Sequence, residues 1–246
     1  MALANDGARD KGVKSASRLR IVSRNIGSLT GKSIELVKIL KKEEDKTACV
    51  QKTKWVGTKA RDVARYKLWY SEVSRCKNGV GMLVDRDLWE QVVEVRRVND
   101  RMMAIKLVIS GLTWNNTSAC APQVSLDEEV KKHFWEDLDE ADQCIPQTEK
   151  IVLGGNFNGH IGSTSRGYDD VHNDFDFEAM NDGGVSFLDF AKACELDIAN
   201  SRFQKKNKHL VTFQIMVAKT QIDYLSSGSV TKIYEQIARL SRVRIS

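Results

Sequence analysis

Residues 154–162 read GGNFNGHIG and follow directly on the apolar run EKIVL at 149–153. A short apolar run closed by turn residues is the pattern of a strand buried on both faces. The two glycines at its end let the backbone turn or pass close to a neighbour. Asn156, Asn158 and His160 then fall where α/β proteins place functional groups, in a loop at the carboxyl end of a strand.

Working outward, a Gly- and Asp-rich loop runs to about residue 183, and Phe187, Leu188, Ala191 and Cys194 mark a helix face. Residues 196–200, 209–213 and 220–225 are the last strand candidates. Upstream, Ser125 and Glu128 have the spacing of a capping box, and Val130, Phe134 and Leu138 make a helical stripe. Residues 66–71, 79–84, 91–98 and 102–109 read as four consecutive antiparallel strands. Before them come a strand at 19–23, a helix carrying Ile34, Val37 and Leu40 on one face, and a strand at 47–51. This order predicts an α/β domain of two stacked mixed sheets with helices outside. It extends from residue 18 onward, behind a polar leader at 1–17 that is expected to be disordered. GSLTGKS at 27–33 is not a phosphate-binding loop, because the position that needs glycine holds Ile26; it predicts a strand-to-helix turn.

Six stretches in fixed order carry a family resemblance: RNIGSLTGK (24–32), CVQKTKW (49–55), SACAPQ (118–123), GGNFNGHIG (154–162), HLVTF (209–213) and QIDY (221–224). Together they resemble the endonuclease/exonuclease/phosphatase superfamily over residues 19–225, and more narrowly the endonucleases of RTE-clade LINE retrotransposons and host proteins related to them. The resemblance implies a four-layer α/β sandwich in which loops from both sheets converge on Mg²⁺ and hydrolyse DNA phosphodiesters. That chemistry needs hard oxygen ligands, a polarised water and groups that neutralise charge in the transition state.

The family's working positions are altered here. Asn25 matches as a neutral ligand or phosphate contact, although Arg24 replaces the Trp before it. Lys52 stands where the main metal carboxylate belongs, Cys120 replaces the Tyr of S-x-Y-A-P, and Asn156 replaces the Asp of G-D-F-N. Asn158 and Asp223 match, as a phosphate contact and an orienting carboxylate. The resemblance thus places catalytic positions at Cys120, Asn156, Asn158 and Asp223, phosphate contacts at Asn25, Lys52 and Asn158, and metal-ligand positions at Asn25 and Lys52. An ammonium about 4 Å from Mg²⁺, at an effective dielectric near 20, is repelled by roughly 8 kcal/mol. The terminal Ser-Asp-His motif has no counterpart after Leu225. The fold is therefore expected to be truncated, with a sheet edge exposed unless residues 226–246 fold back on Ile233, Ile237 and Leu240.

Composition fits this reading. The 246 residues include 38 basic and 33 acidic side chains, a net +5 that permits an anionic partner without demanding one. No run approaches the ~18 apolar residues of a membrane span, and no secretory signal opens the chain. An intracellular protein, nuclear or cytoplasmic and monomeric, is expected. Five scattered cysteines have no zinc spacing and read as reduced thiols, several of them buried. The sequons at Asn115 and Asn116 then carry no meaning. Asp169, Asp170, Asp174 and Asp176 lack calcium-loop spacing and predict a solvated acidic loop. His133 reads as surface, His172 and His209 as loop or strand-end residues, and Trp55 and Trp89 as packing. The expected function is a degenerate Mg²⁺-dependent endonuclease domain, catalytically inactive, with weak non-specific nucleic-acid binding. A slow phosphodiester hydrolase and a protein-interaction domain stay open as alternatives.

Overall fold

In the computed structural model all five residues of TACVQ (β2, Thr47–Gln51) are buried, as a strand covered on both faces requires. The structure describes residues 19–71, 78–163, 167–172, 179–201, 213–214, 219–220 and 222–228. The leader at 1–17, the stretch 209–212 and the tail after Gly228 lie outside these. One sheet has the order β1-β2-β5-β4-β3, built from β1 (Ile21–Asn25), β2, β3 (Ala60–Val63), β4 (Tyr66–Ser71) and β5 (Val80–Asp85). Only its β1–β2 pair is parallel, and the crossover is helix α1 (Ser33–Lys42).

The second sheet has the order β10-β13-β9-β8-β7-β6. Its strands are β6 (Val92–Arg97), β7 (Met102–Ile109), β8 (Leu112–Cys120), β9 (Lys150–Asn156), β10 (Leu196–Ile198) and β13 (Asp223–Gly228). Helix α2 (Glu128–Gln143) joins the parallel β8 and β9, and α3 (Asp182–Ala193) leads into β10. β11 (Phe213–Gln214) and β12 (Lys219–Thr220) make a separate small hairpin.

Three apolar clusters define four layers. Leu36, Val37 and Leu40 of α1 pack on Val22, Ala48, Val50 and Leu68. Between the sheets lie Ile21, Met82, Val84, Met103, Ile105, Val152 and Leu225. Phe134 and Leu138 of α2, with Phe187, Leu188 and Ala191 of α3, cover Leu153 and Tyr224. The four-layer sandwich is thus as the sequence indicates.

Several local expectations are corrected. The four strand-like segments do not form one meander: β4 pairs with β5 in the first sheet and β6 with β7 in the second. Alternation reports a half-buried strand, not the sheet that holds it. β8 was not anticipated as a strand, because polar Asn116 and Ser118 occupy inward positions. Helix α2 is capped at Asp127 without a side-chain bond, so Ser125 and Glu128 make no capping box. Ile34 and Val130 face solvent, at 52% and 40% exposure, and the helices bury their other apolar residues instead. Ser226 and Ser227 continue β13, which is paired on both sides, with β9 and β10. In the first sheet, β1 is an end strand with β2 as its one neighbour among the described residues. His172 is a loop residue as expected, and it is fully buried, with Nε2 donating to the Gly162 carbonyl at 2.9 Å.

Arg24, next to Asn25 on β1, is buried and paired with buried Asp45 at 3.4 Å. Burial pushes the Asp45 carboxyl from 3.8 up to about 6, against the charges of Arg24 and Arg20, and lowers the Arg24 pKa as well. A carboxyl raised in this way is most favourable when protonated, so its contribution to stability falls as pH rises from 3.8 to about 6. Desolvation outweighs attraction in both partners. Replacing the pair together, Arg24→Met with Asp45→Leu, is expected to leave stability unchanged or raise it by about 1–4 kcal/mol. Asp45→Leu alone should cost about 3–5 kcal/mol by leaving the guanidinium without its carboxylate. Denaturant melts decide this; a double variant as weak as the single one contradicts it.

Candidate nucleic-acid site at the carboxyl ends of the strands

Strand register brings three of the sequence-predicted residues into one row. Cys120 on β8 is opposite Asn156 on β9, and Asn156 is opposite Asp223 on β13. Side chains alternate along β9: Val152 belongs to the core between the sheets, and Leu153 to the core under the helices. Gly154 shares the face of Val152 and lets the sheets close, since a Cβ there would lie 2.9 Å from Cys49 Sγ.

Gln51 ties the two sheets together at this level. Its buried Nε2 donates to Ser23 Oγ at 3.2 Å, Ser118 Oγ at 3.3 Å and the Gly154 carbonyl at 3.4 Å. The Ser118 hydroxyl in turn donates to the Val50 carbonyl at 3.3 Å. Asn25 stands in register with Gln51, and Lys52 follows it, so the ends of β1 and β2 face those of β8 and β9. Asn25 Oδ1 accepts from the Gly27 amide at 3.4 Å, while its buried Nδ2 has no hydrogen-bond partner among the described residues.

At the centre, Asn156 Nδ2 donates to Asp223 Oδ1 at 2.7 Å, with both residues buried. The amide thus presents a neutral donor to the Asp223 carboxyl. Burial pushes the Cys120 thiol up to about 11, and the charges of Lys52 and Arg101 act against that rise. Arg101 also donates to the Cys120 carbonyl at 3.3 Å. Lys52 has a left-handed backbone, with φ of 61°; such strain in a non-glycine residue concentrates at functional positions. Asn158, also left-handed at 52°, donates from Nδ2 to the carbonyls of Ala121 at 2.7 Å and Pro122 at 3.4 Å. Its amide nitrogen holds the exit of β8.

The GHIG loop sits on the start of α3. A Cβ on Gly159 would fall 2.3 Å from Gly184 N, and one on Gly184 would fall 1.8 Å from the His160 carbonyl oxygen. Asn181, the N-cap of α3, accepts from the amides of Gly184 and His160, each at 2.9 Å. The Tyr224 hydroxyl donates to the Gly159 carbonyl at 3.1 Å. Asn181 escaped the sequence reading, although NDGG before a helical pattern is an N-cap signal.

These residues do not fit Mg²⁺. The ion needs hard oxygen ligands, with one or two carboxylates among them. In the row of Cys120, Asn156 and Asp223 the one carboxyl is that of Asp223, and one of its oxygens accepts from Asn156. Lys52 adds a cation.

Layer order, topology and the row of strand ends define the endonuclease/exonuclease/phosphatase fold. A 3′ phosphatase from Neisseria bound to product DNA hairpin matches with a TM-score of 0.63 and 17% identity, over 85% of this chain and 86% of that one. The endonuclease domain of TRAS1, a telomere-specific non-LTR retrotransposon, matches with a TM-score of 0.57 and 12% identity, over 85% of each chain. In sequence the chain is similar to craniofacial development protein 2 of Tragulus javanicus, 25% identical over 181 residues that make 72% of this chain. It spans 31% of that relative's length. No family model matches. Among the described residues, no helix is long and apolar enough to cross a membrane.

Proposed function

We propose that this domain binds nucleic acid weakly and without sequence preference, and that its phosphodiester-cleaving centre is catalytically inactive. The observation that carries the reading is the Asn156–Asp223 hydrogen bond with Lys52 at the neighbouring strand end. An amide cannot serve as a general base, and an ammonium repels the ion that would polarise water. Both substitutions favour a bound phosphate over a bound metal. The DNA hairpin held by the Neisseria phosphatase supports nucleic acid as the polyanion.

Supercoiled plasmid incubated with purified protein and Mg²⁺ or Mn²⁺ is expected to stay intact. Nicking above that of an Asn158→Ala control overturns the inactive reading in favour of a slow hydrolase. Oligonucleotide binding is expected at about 10⁻⁴ to 10⁻⁶ M at physiological salt, weakening steeply as salt rises. Binding that is absent at low salt favours a protein-interaction domain instead.

A further inference from the structure

The segment that leaves the site at Lys52 reads KTKWVGTKAR (52–61) and holds four basic residues and no acidic one. The whole chain is only +5, so this loop has a surplus nearly equal to that of the entire protein. Several cations elsewhere are paired: Arg20, Lys46, Arg65, Lys67 and Lys106 each face a carboxylate. Among the described residues none of Lys52, Lys54, Lys59 and Arg61 has such a partner.

The loop is also fixed in place. Buried Thr53 donates from its amide to the Gly79 carbonyl at 3.0 Å and accepts from the Leu29 amide at 3.0 Å. On either side of it Lys52 and Lys54 take left-handed backbones, at 61° and 54°. Further on, the Arg61 guanidinium lies over the Trp55 ring at 5.0 Å, and Trp55 rests edge-on against Tyr70 at 5.7 Å. Ordering costs on binding are therefore small.

We infer that residues 52–61 form a metal-independent strip for the phosphate backbone of a nucleic acid, with Lys54, Lys59 and Arg61 as contacts outside the central site. This rests on the reading of the domain as a nucleic-acid binder. The segment leaves the end of β2 and reaches β3 at the far edge of the first sheet, so its basic residues follow one another away from the strand-end site, as suits a linear polyanion. Membrane insertion is disfavoured, because Val56 is the only exposed apolar side chain of ordinary inserting size in the loop.

The test is fluorescence anisotropy of a labelled oligonucleotide in EDTA, titrated with salt from about 50 mM. Parent protein should bind without divalent metal. Lys54→Gln/Lys59→Gln/Arg61→Gln should bind about 10²- to 10³-fold more weakly at the lowest salt, and its salt slope should fall by about 3. Lys38→Gln/Lys41→Gln/Lys42→Gln on α1 removes equal charge and should change little. If the strip variant unfolds in circular dichroism, Lys54→Glu alone, at an exposed position, should still weaken binding. Strip variants that bind like the parent, or a parent that binds only with Mg²⁺, overturn the inference and leave the proposed function standing. A parent that binds no oligonucleotide at low salt overturns both. Strip-dependent binding to phosphatidylserine vesicles with no oligonucleotide binding assigns the loop to membranes instead.

Discussion

The double variant Lys52→Glu/Asn156→Asp is expected to bind Mn²⁺ or Mg²⁺ at least about 10²-fold more tightly than the parent, with heat visible by calorimetry. Replacing Lys52 removes a repulsion of roughly 8 kcal/mol on a divalent ion about 4 Å away, before solvation and side-chain motion reduce it. Replacing Asn156 places a second carboxylate against Asp223, where the amide now donates at 2.7 Å. Two buried carboxylates at that separation cannot both ionise without a cation, so one pKa of the pair rises. The sign follows: in EDTA the variant should be most stable at acid pH and lose stability as pH rises through the raised value. Added Mn²⁺ should restore stability and bind more tightly as pH rises, because it displaces the shared proton. Each single change should gain less, and the effects should be non-additive because both groups act on one ion. Equal metal binding by the parent and double variant would mean that positions 52 and 156 face different sites.

Gly184→Ala is expected to destabilise the domain by about 3 kcal/mol or more, at the upper end of overpacking costs. Its Cβ would stand 1.8 Å from the His160 carbonyl oxygen, and neither partner is a side chain that can swing away. The start of α3 and the GHIG loop would have to separate, and Asn181 would lose its bond to the His160 amide. Gly228→Ala is the control, because a Cβ there meets nothing within 4 Å. Denaturant titration of both variants provides the measurement. Equal midpoints would mean that the loop is not seated on the helix as described.

The sequence carried the fold and the identity of the central residues further than it carried their arrangement. GGNFNGHIG identified β9 and its loop, and the ordered motifs gave Asn25, Lys52, Cys120, Asn156, Asn158 and Asp223. That Cys120, Asn156 and Asp223 share one row depends on strand register, which pairs residues far apart in the chain. Local periodicity does not encode that register. The inward turn of Asn158 onto the Ala121 and Pro122 carbonyls was illegible for the same reason. β8 was hidden because its interior positions carry Asn116 and Ser118, which serve a polar layer between sheets rather than an oily one. The pairing of Arg24 with Asp45 joins residues 21 apart in the chain, and no motif marks it.

The amide of Gln51 links four strands from two sheets through a single uncharged group. Its hold has no titrating proton in the ordinary pH range, and requires no captured ion. Architecture and chemistry are therefore separable in this protein. Substitutions at positions 52, 120 and 156 can change the chemistry of the strand ends while the two sheets keep their spacing, whereas an apolar residue at position 51 would loosen the sheets and leave those groups chemically intact. A scaffold held in this way can change chemistry at its strand ends without changing shape.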